Sequence, residues 1–366
     1  MKTSRVCVIG NGALSLSIAG QLAGSGALVT YLDLSEHGDA HAVLKDDPVL
    51  RFTGALEMDV RLSAVTRDVA AIAGSDIIAV TVTASYYDKF FPAMVPLLHD
   101  GQHVVFFPAC FGAQLLSRNI PKAQAAGLTI AEAVSFPCVC DWDKCRTINV
   151  HSVKRALRMS VYPKSRLEET LHLYNDCFRI FEPARNFLET SLDNMNLTLH
   201  PLPVLLNAGG VERDPNGFRH FIDGFTPTVG ALVEQLDAER LAVGKAYGLD
   251  LVSTLDQLKT YYGDSSATSI GAYVTARGGP YTNVRGFGLT SRYVTEDIPY
   301  LVVPTLALAG AAGVATPLLE LCLRLANAVM RTDYAAAGLS LDRLGLSHMS
   351  VQDLLRAVEG QPPDIL

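Results

Sequence analysis

Most of the chemistry this sequence offers lies in one histidine, one arginine and one aspartate. His200 sits in Leu199-His200-Pro201-Leu202-Pro203, and Arg292 and Asp297 sit in Ser291-Arg292-Tyr293-Val294-Thr295-Glu296-Asp297-Ile298-Pro299. Reducing a carbonyl or imine needs a proton donor beside the hydride acceptor, and imidazole suits that task because its ordinary pKa lies near neutrality. A carboxylate behind the ring fixes the tautomer and stabilises the protonated form. A nearby guanidinium grips a substrate carboxylate through two parallel hydrogen bonds. Each residue also has an ordinary use. His200 can be a satisfied core histidine, Asp297 can cap a helix opening at Ile298-Pro299, and Arg292 can form a surface ion pair. On residue types alone these alternatives stay open.

A second constellation lies at the start of the chain. Gly10-Asn11-Gly12-Ala13 follows an apolar run and opens a helical pattern. Gly10 permits a tight turn, Gly12 lets the backbone approach a pyrophosphate, and the helix N-terminus offers N–H groups and partial positive charge. Ser15 stands where the fingerprint usually has its third glycine. Asp33 ends the next strand, where an acid holds the adenosine ribose hydroxyls. A carboxylate there opposes a 2′-phosphate, and Leu34-Ser35-Glu36-His37 contains no arginine. The expected cofactor is therefore NADH, with NADPH left open. The plain alternative is an ordinary strand–helix turn with Asp33 as a loop acid.

Positioning these groups falls to two kinds of element. Val6–Ile9, Ala27–Leu32, Asp76–Val82, His103–Phe107 and Leu128–Val134 read as strands, with helical patterns at Leu14–Ala23 and Tyr86–Leu98. Such alternation predicts βαβ units and a parallel sheet. Extended stretches at 147–152 and 156–162 are expected to end that domain. Further on, Thr226-Pro227 opens an amphipathic segment in which Val229, Leu232, Val233 and Leu236 recur at helical spacing and Gly248 supplies the stop. The expected architecture is an α/β domain of Rossmann type over residues 1–184, binding dinucleotide, followed by a mainly α-helical catalytic domain over residues 185–366.

Bulk composition excludes several classes. The chain has 366 residues, which at roughly 100–200 residues per domain fits two or three domains. Apolar residues make up 49% and charged residues 18%, too apolar for a disordered chain. A net charge of −7 and no run of Lys and Arg argue against a nucleic-acid partner. The seven cysteines are odd in number in a long chain, so no disulfide framework is implied. Cys138, Cys140 and Cys145 match no zinc spacing, so no metal site is expected, and thiols in a reducing cytoplasm are the better reading. Residues 300–323 are nearly all apolar but contain Pro304, Gly310, Gly313 and Pro317. Two short buried helices, the second capped by Thr316, fit better than a membrane span.

Several segments resemble a known family. Leu192–Ala208, Phe225-Thr226-Pro227-Thr228-Val229-Gly230 with Asp237-Ala238-Glu239-Arg240, and Arg292-Tyr293 with Glu296-Asp297 are similar to the catalytic domain of bacterial opine dehydrogenases of the carboxyethyl-norvaline type, relatives of octopine dehydrogenase. The resemblance covers most of the chain and is strongest over about 188–335. The stretch Pro108–Gly112 is poorer in glycine than in that family. The resemblance implies reductive condensation: an amino acid amine joins a 2-oxo acid, often pyruvate, and NAD(P)H reduces the imine to a secondary amine dicarboxylate. By the same resemblance His200 is the general acid/base, Asp297 orients it, and Arg292 binds the oxo-acid carboxylate. The active site is expected between the domains, in a homodimeric protein. Arg213, Arg219, His220, Tyr261 and Tyr262 are further candidates for a pocket wall. Two other readings share the cofactor domain. A reductase of the ketopantoate or glycerol-phosphate type needs a lysine early in the helical domain, and residues 186–210 contain none. A dinucleotide sensor without turnover needs no His–Asp pair.

Overall fold

Val6, Cys7, Val8 and Ile9 are buried on both faces of their strand, as the centre of a parallel sheet requires. The computed structural model describes residues 3–121, 127–263, 266–282, 284 and 288–359, and the chain divides into units Met1–Thr190 and Ser191–Leu366. In the first unit the strands are β1 (Arg5–Gly10), β2 (Leu28–Asp33), β3 (Val49–Gly54), β4 (Met58–Arg61), β5 (Ala64–Thr66), β6 (Ile77–Val80), β7 (His103–Phe106), β8 (Thr129–Ala133), β9 (Cys138–Trp142), β10 (Thr147–Val153), β11 (Leu157–Tyr162) and β12 (Phe181–Pro183). Eight of them form the main sheet in the order β12-β11-β8-β7-β6-β1-β2-β5. All its neighbours run parallel except β8 and β11. The strand order reverses direction between β1 and β6. In open α/β sheets such a switch point opens the crevice that takes a ligand, outside the carboxyl ends of the strands.

A second sheet, in the order β4-β3-β10-β9, was not foreseen from sequence. Its strands carry a weak signal: β3 and β4 are short and only half buried, with Leu50 and Phe52 alone turned fully inward. The two extended stretches expected to end the domain lie in different sheets. β10 joins β3 and β9, whereas β11 lies against β8 and β12. Helix α1 (Ala13–Gly24) touches β1 and β2 of the main sheet and β4, β9 and β10 of the second. That explains a helix apolar nearly all round. Gly20 and Gly24 make the approach possible. A Cβ at Gly20 would stand 2.3 Å from the Phe52 ring, and one at Gly24 would stand 3.1 Å from the Met58 sulfur.

The regular elements of the second unit are all helices among its described residues. Its longest helix, Pro227–Ala246, starts as the sequence predicts: Thr226 accepts the N–H of Val229 and Pro227 takes the first position. Gly248, at φ +62°, ends it. Arg240 of this helix is wholly buried, and it bonds the carboxylates of Asp193 and Asp237 and the carbonyls of Leu192 and Val252. Thr254 completes the cluster by donating to Asp237 and meeting Thr198 Oγ1 at 2.9 Å. Each buried charge thus has its partners, and the chain just before His200 is tied to the long helix.

The apolar stretch near 300–323 splits as expected into the helices Val303–Ala312 and Pro317–Met330, parted at Gly313 with φ +67°. Thr316, however, does not cap the second helix. Its side chain makes no capping bond, and Glu239 from the long helix accepts the N–H groups of Leu318 and Leu319 instead. Among the described residues no helix is long and apolar enough to cross a membrane.

Candidate active site

Gly10 and Asp33 lie opposite each other at the carboxyl ends of β1 and β2. The turn after β1 shows why Ser15 replaces a glycine. A Cβ on Gly10 would sit 2.1 Å from the Ser15 Cβ, so the space one residue lacks is filled by the other. A Cβ on Gly12 would meet nothing within 4 Å. Neither a side-chain cap nor an acid occupies the first turn of α1. The mouth of the helix is therefore open, uncapped and free of acidic side chains, which fits a pyrophosphate lying over Gly10-Asn11-Gly12-Ala13. Asp33 is only 1% exposed. Its Oδ1 accepts the Ser35 N–H and its Oδ2 the His41 N–H, both at 2.8 Å, so it organises the loop after β2 from within.

His200 stands at a break between the helices Asn196–Leu199 and Pro201–Leu206. His200 sits at φ −110°, ψ −65°, a distorted helical conformation just before Pro201, which opens the second of these helices. Pro203 has a further effect. It lacks the N–H that would close a helical turn on the Leu199 carbonyl. His220 Nε2 supplies that hydrogen bond at 2.8 Å. A carbonyl can only accept, so His220 carries its proton on Nε2.

Asp297 begins a π-helical turn, Ile298–Val302, and makes no capping bond there. Its Oδ2 lies 2.7 Å from His200 Nδ1. Among the described residues its Oδ1 is buried with no partner, and no hydrogen bond uses His200 Nε2. With Nδ1–H turned to Asp297, Nε2 is the nitrogen that faces chemistry. Tyr293 stacks on the imidazole, ring centroids 3.6 Å apart and 13° from parallel. His220, Phe221 and Tyr281 extend the aromatic wall. Arg292, 35% exposed in its side chain, bonds Glu296 at 3.4 Å.

Burial acts on the two partners of this pair in opposite senses. Burial, and then the positive charge of Arg292, push the His200 pKa well below its ordinary value. Burial raises Asp297 to about 7, opposed by Arg292. The two shifts run in opposite directions, and the hydrogen bond between the groups couples their titrations. Burial and the neighbouring His200 lower His220 to about 3, which leaves it neutral.

Other sequence candidates are placed elsewhere or serve the fold. Arg213 is exposed and donates to the Gly209 carbonyl. Arg219 is paired with Asp223. Tyr262 lies behind Tyr281, ring centroids 5.8 Å apart, and Tyr261 bonds Gln257. Sequence reasoning gave Tyr293 no role. It also left His220 as one lining candidate among several, although Pro203, four residues after Leu199, signals an orphaned carbonyl that needs a donor.

Residues 183–330 match the family model described as "NAD/NADP octopine/nopaline dehydrogenase, alpha-helical domain". The chain is 30% identical over 365 residues to an opine dehydrogenase of Arthrobacter sp. (strain 1C), covering 98% of this chain and 99% of that protein. Among solved structures, octopine dehydrogenase with NADH and L-arginine superposes over 100% of both chains with TM-score 0.76 and 21% identity. A ketopantoate reductase from Ralstonia eutropha JMP134 matches with TM-score 0.60 and 19% identity, over 89% of this chain and 98% of that one. These two structural likenesses speak for the fold alone.

Proposed function

Since the chain belongs to the opine dehydrogenase family and is an NAD(P)-dependent oxidoreductase of that family, we propose that it condenses the amine of an α-amino acid with a 2-oxo acid, pyruvate first among them, and reduces the resulting imine. Condensation releases water. Reduction places a hydride on the imine carbon and a proton on nitrogen, and leaves a secondary amine flanked by two carboxylates. When bound, the reduced nicotinamide supplies the hydride. The chain's own side chains handle charge and protons.

The observation that carries this reading is the bond from His200 Nδ1 to Asp297 Oδ2 at 2.7 Å, with Nε2 left unengaged among the described residues. Nε2 first takes a proton from the amine as it adds to the carbonyl and then passes it to the hydroxyl that leaves as water. Asp297 holds the tautomer and stabilises the imidazolium as it forms. Tyr293 fixes the ring plane. Arg292 grips the oxo-acid carboxylate, and its positive charge disfavours the protonated form of His200. Gly10, Asn11, Gly12 and Ala13 cradle the cofactor pyrophosphate, and Asp33 holds the loop that receives the adenosine ribose.

Purified protein supplied with NADH or NADPH, pyruvate and a panel of apolar, basic and acidic amino acids tests the reading. Nucleotide oxidation that requires both partners, with a product of the condensed and reduced mass, is the expected result. Oxidation with an oxo acid alone would make the protein a carbonyl reductase. Tight nucleotide binding without turnover on any pair of substrates would leave a sensor.

A further inference from the structure

The sequence favours NADH because Asp33 ends β2 and no arginine follows it in the chain. Folding changes both premises. The Asp33 carboxylate is 1% exposed, and the Ser35 and His41 N–H groups occupy its two oxygens. Its charge is turned inward and offset by backbone donors. A cation arrives instead from another strand. β5 runs parallel to β2 with Thr66 opposite Leu32, which sets Arg67 beside the exit of β2. Arg67 Nη2 donates to the Ser35 carbonyl at 3.1 Å. A Cβ on Gly38 would come within 3.0 Å of Arg67 Nη1, so the guanidinium lies across the loop from Ser35 to Gly38.

Arg67 is one of several arginines of its unit, with Arg118, Arg155 and Arg179, that pair with no carboxylate among the described residues. Arg5, Arg51, Arg61, Arg146 and Arg158 each pair with a carboxylate. Arg67 is exposed and, among the described residues, pairs with none. One carbonyl contact leaves most of its donors facing solvent. His37 is exposed on the same loop and His41 is half-buried, while Glu36 and Asp39 are the exposed acids that oppose a bound anion there.

We propose that Arg67 forms the seat for a phosphate on the adenosine 2′ position, so that this chain binds NADPH at least as tightly as NADH. The proposal rests on the reading of Gly10–Ala13 as a dinucleotide turn, because in that geometry the ribose lies beyond the end of β2. A phosphate monoester carries about −1.5 to −2 charges near neutrality, and the guanidinium fork matches two of its oxygens.

Calorimetric titration with adenosine 2′,5′-bisphosphate and with 5′-AMP isolates the 2′-phosphate from the rest of the cofactor. The expected result is binding of the bisphosphate at least tenfold tighter than AMP. Arg67→Ala should abolish that difference and Arg67→Lys should keep part of it. NADH affinity should stay within twofold in both variants, and an unchanged melting temperature would show that this exposed site was altered without unfolding. Equal binding of the two nucleotides by the native chain, or a preference that survives in Arg67→Ala, would overturn the proposal. These readouts do not depend on turnover. A chain that binds NADPH through Arg67 yet reduces no imine keeps this proposal and loses the opine reading, and the reverse outcome is equally distinct.

Discussion

The cofactor turn of the first unit and the histidine site of the second are built by opposite means. Gly10-Asn11-Gly12-Ala13 is contiguous, and what it presents is backbone. Its geometry follows from missing side chains and from one compensating hydroxymethyl, Ser15, packed into the space at Gly10. The histidine site presents side chains drawn from far apart in sequence. His200 and Asp297 meet at 2.7 Å, Tyr293 lies flat on the ring, and His220 reaches back to the Leu199 carbonyl. A backbone site tolerates changes in chemical character but not in volume. A side-chain site tolerates little change in either, and it fails when any distant support is lost.

Five experiments test that contrast, starting with the largest effect. His200→Ala should lower kcat by about 10²–10⁴-fold while NADH affinity stays within twofold. Turnover near the native rate would remove the proposed proton donor. Arg240→Ala leaves two buried aspartates without their cation and should cost about 3–5 kcal/mol of stability in urea unfolding. An unchanged midpoint would mean that the cluster supporting the His200 segment is dispensable. Gly10→Ala should cost about 1–3 kcal/mol from overpacking and weaken nucleotide binding, and adding Ser15→Gly should restore part of both, because Thr81 Oγ1 also lies 2.7 Å from the added Cβ. If the double variant is as poor as the single one, the two positions do not share one volume.

The fourth experiment concerns acid stability. The folded chain keeps His220 neutral down to about pH 3, whereas an ordinary histidine protonates near 6.5. Between those values the unfolded chain binds the extra proton. The stability contributed by the neutral ring is therefore whole above pH 6.5 and is lost as pH falls toward 3, at up to about 1.4 kcal/mol per pH unit. His220→Gln keeps a donor for the Leu199 carbonyl and removes the titration, so its stability should fall less steeply below pH 6.5. An identical acid limb would show that His220 is not the group responsible. The smallest effect separates two caps. Glu239→Ala should cost about 1 kcal/mol by exposing the start of Pro317–Met330, while Thr316→Ala should cost far less. The reverse ranking would restore the cap that the sequence suggested.

What could be read from the sequence follows the same divide. The glycine turn and the buried strands of the main sheet are local patterns, and local patterns survive in a linear reading. The second sheet is made of short, half-buried strands whose partners lie far along the chain, so its hydrophobic signal is weak. The meeting of His200 with Asp297 was legible only through the family resemblance, because residue types fix no distance across so long an interval. NADH was favoured by looking for an arginine next to Asp33 in sequence, where the neighbour in space is supplied by β5. Thr316-Pro317 looked like a cap because the usual residues were present, yet the carboxylate that serves the helix comes from Glu239.

The grip on α1 has a thermodynamic consequence for ligand encounter. A helix pressed between two sheets, with Phe52 seated over Gly20, has little freedom to tilt or slide when a dinucleotide arrives. The ordering entropy of its N-terminal amides is lost during folding and is not charged again at binding. Association at this turn should then resemble entry into a rigid socket, with small heat-capacity and exchange-protection changes along α1. Whatever slow rearrangement accompanies the catalytic cycle has to be sought in other parts of the chain.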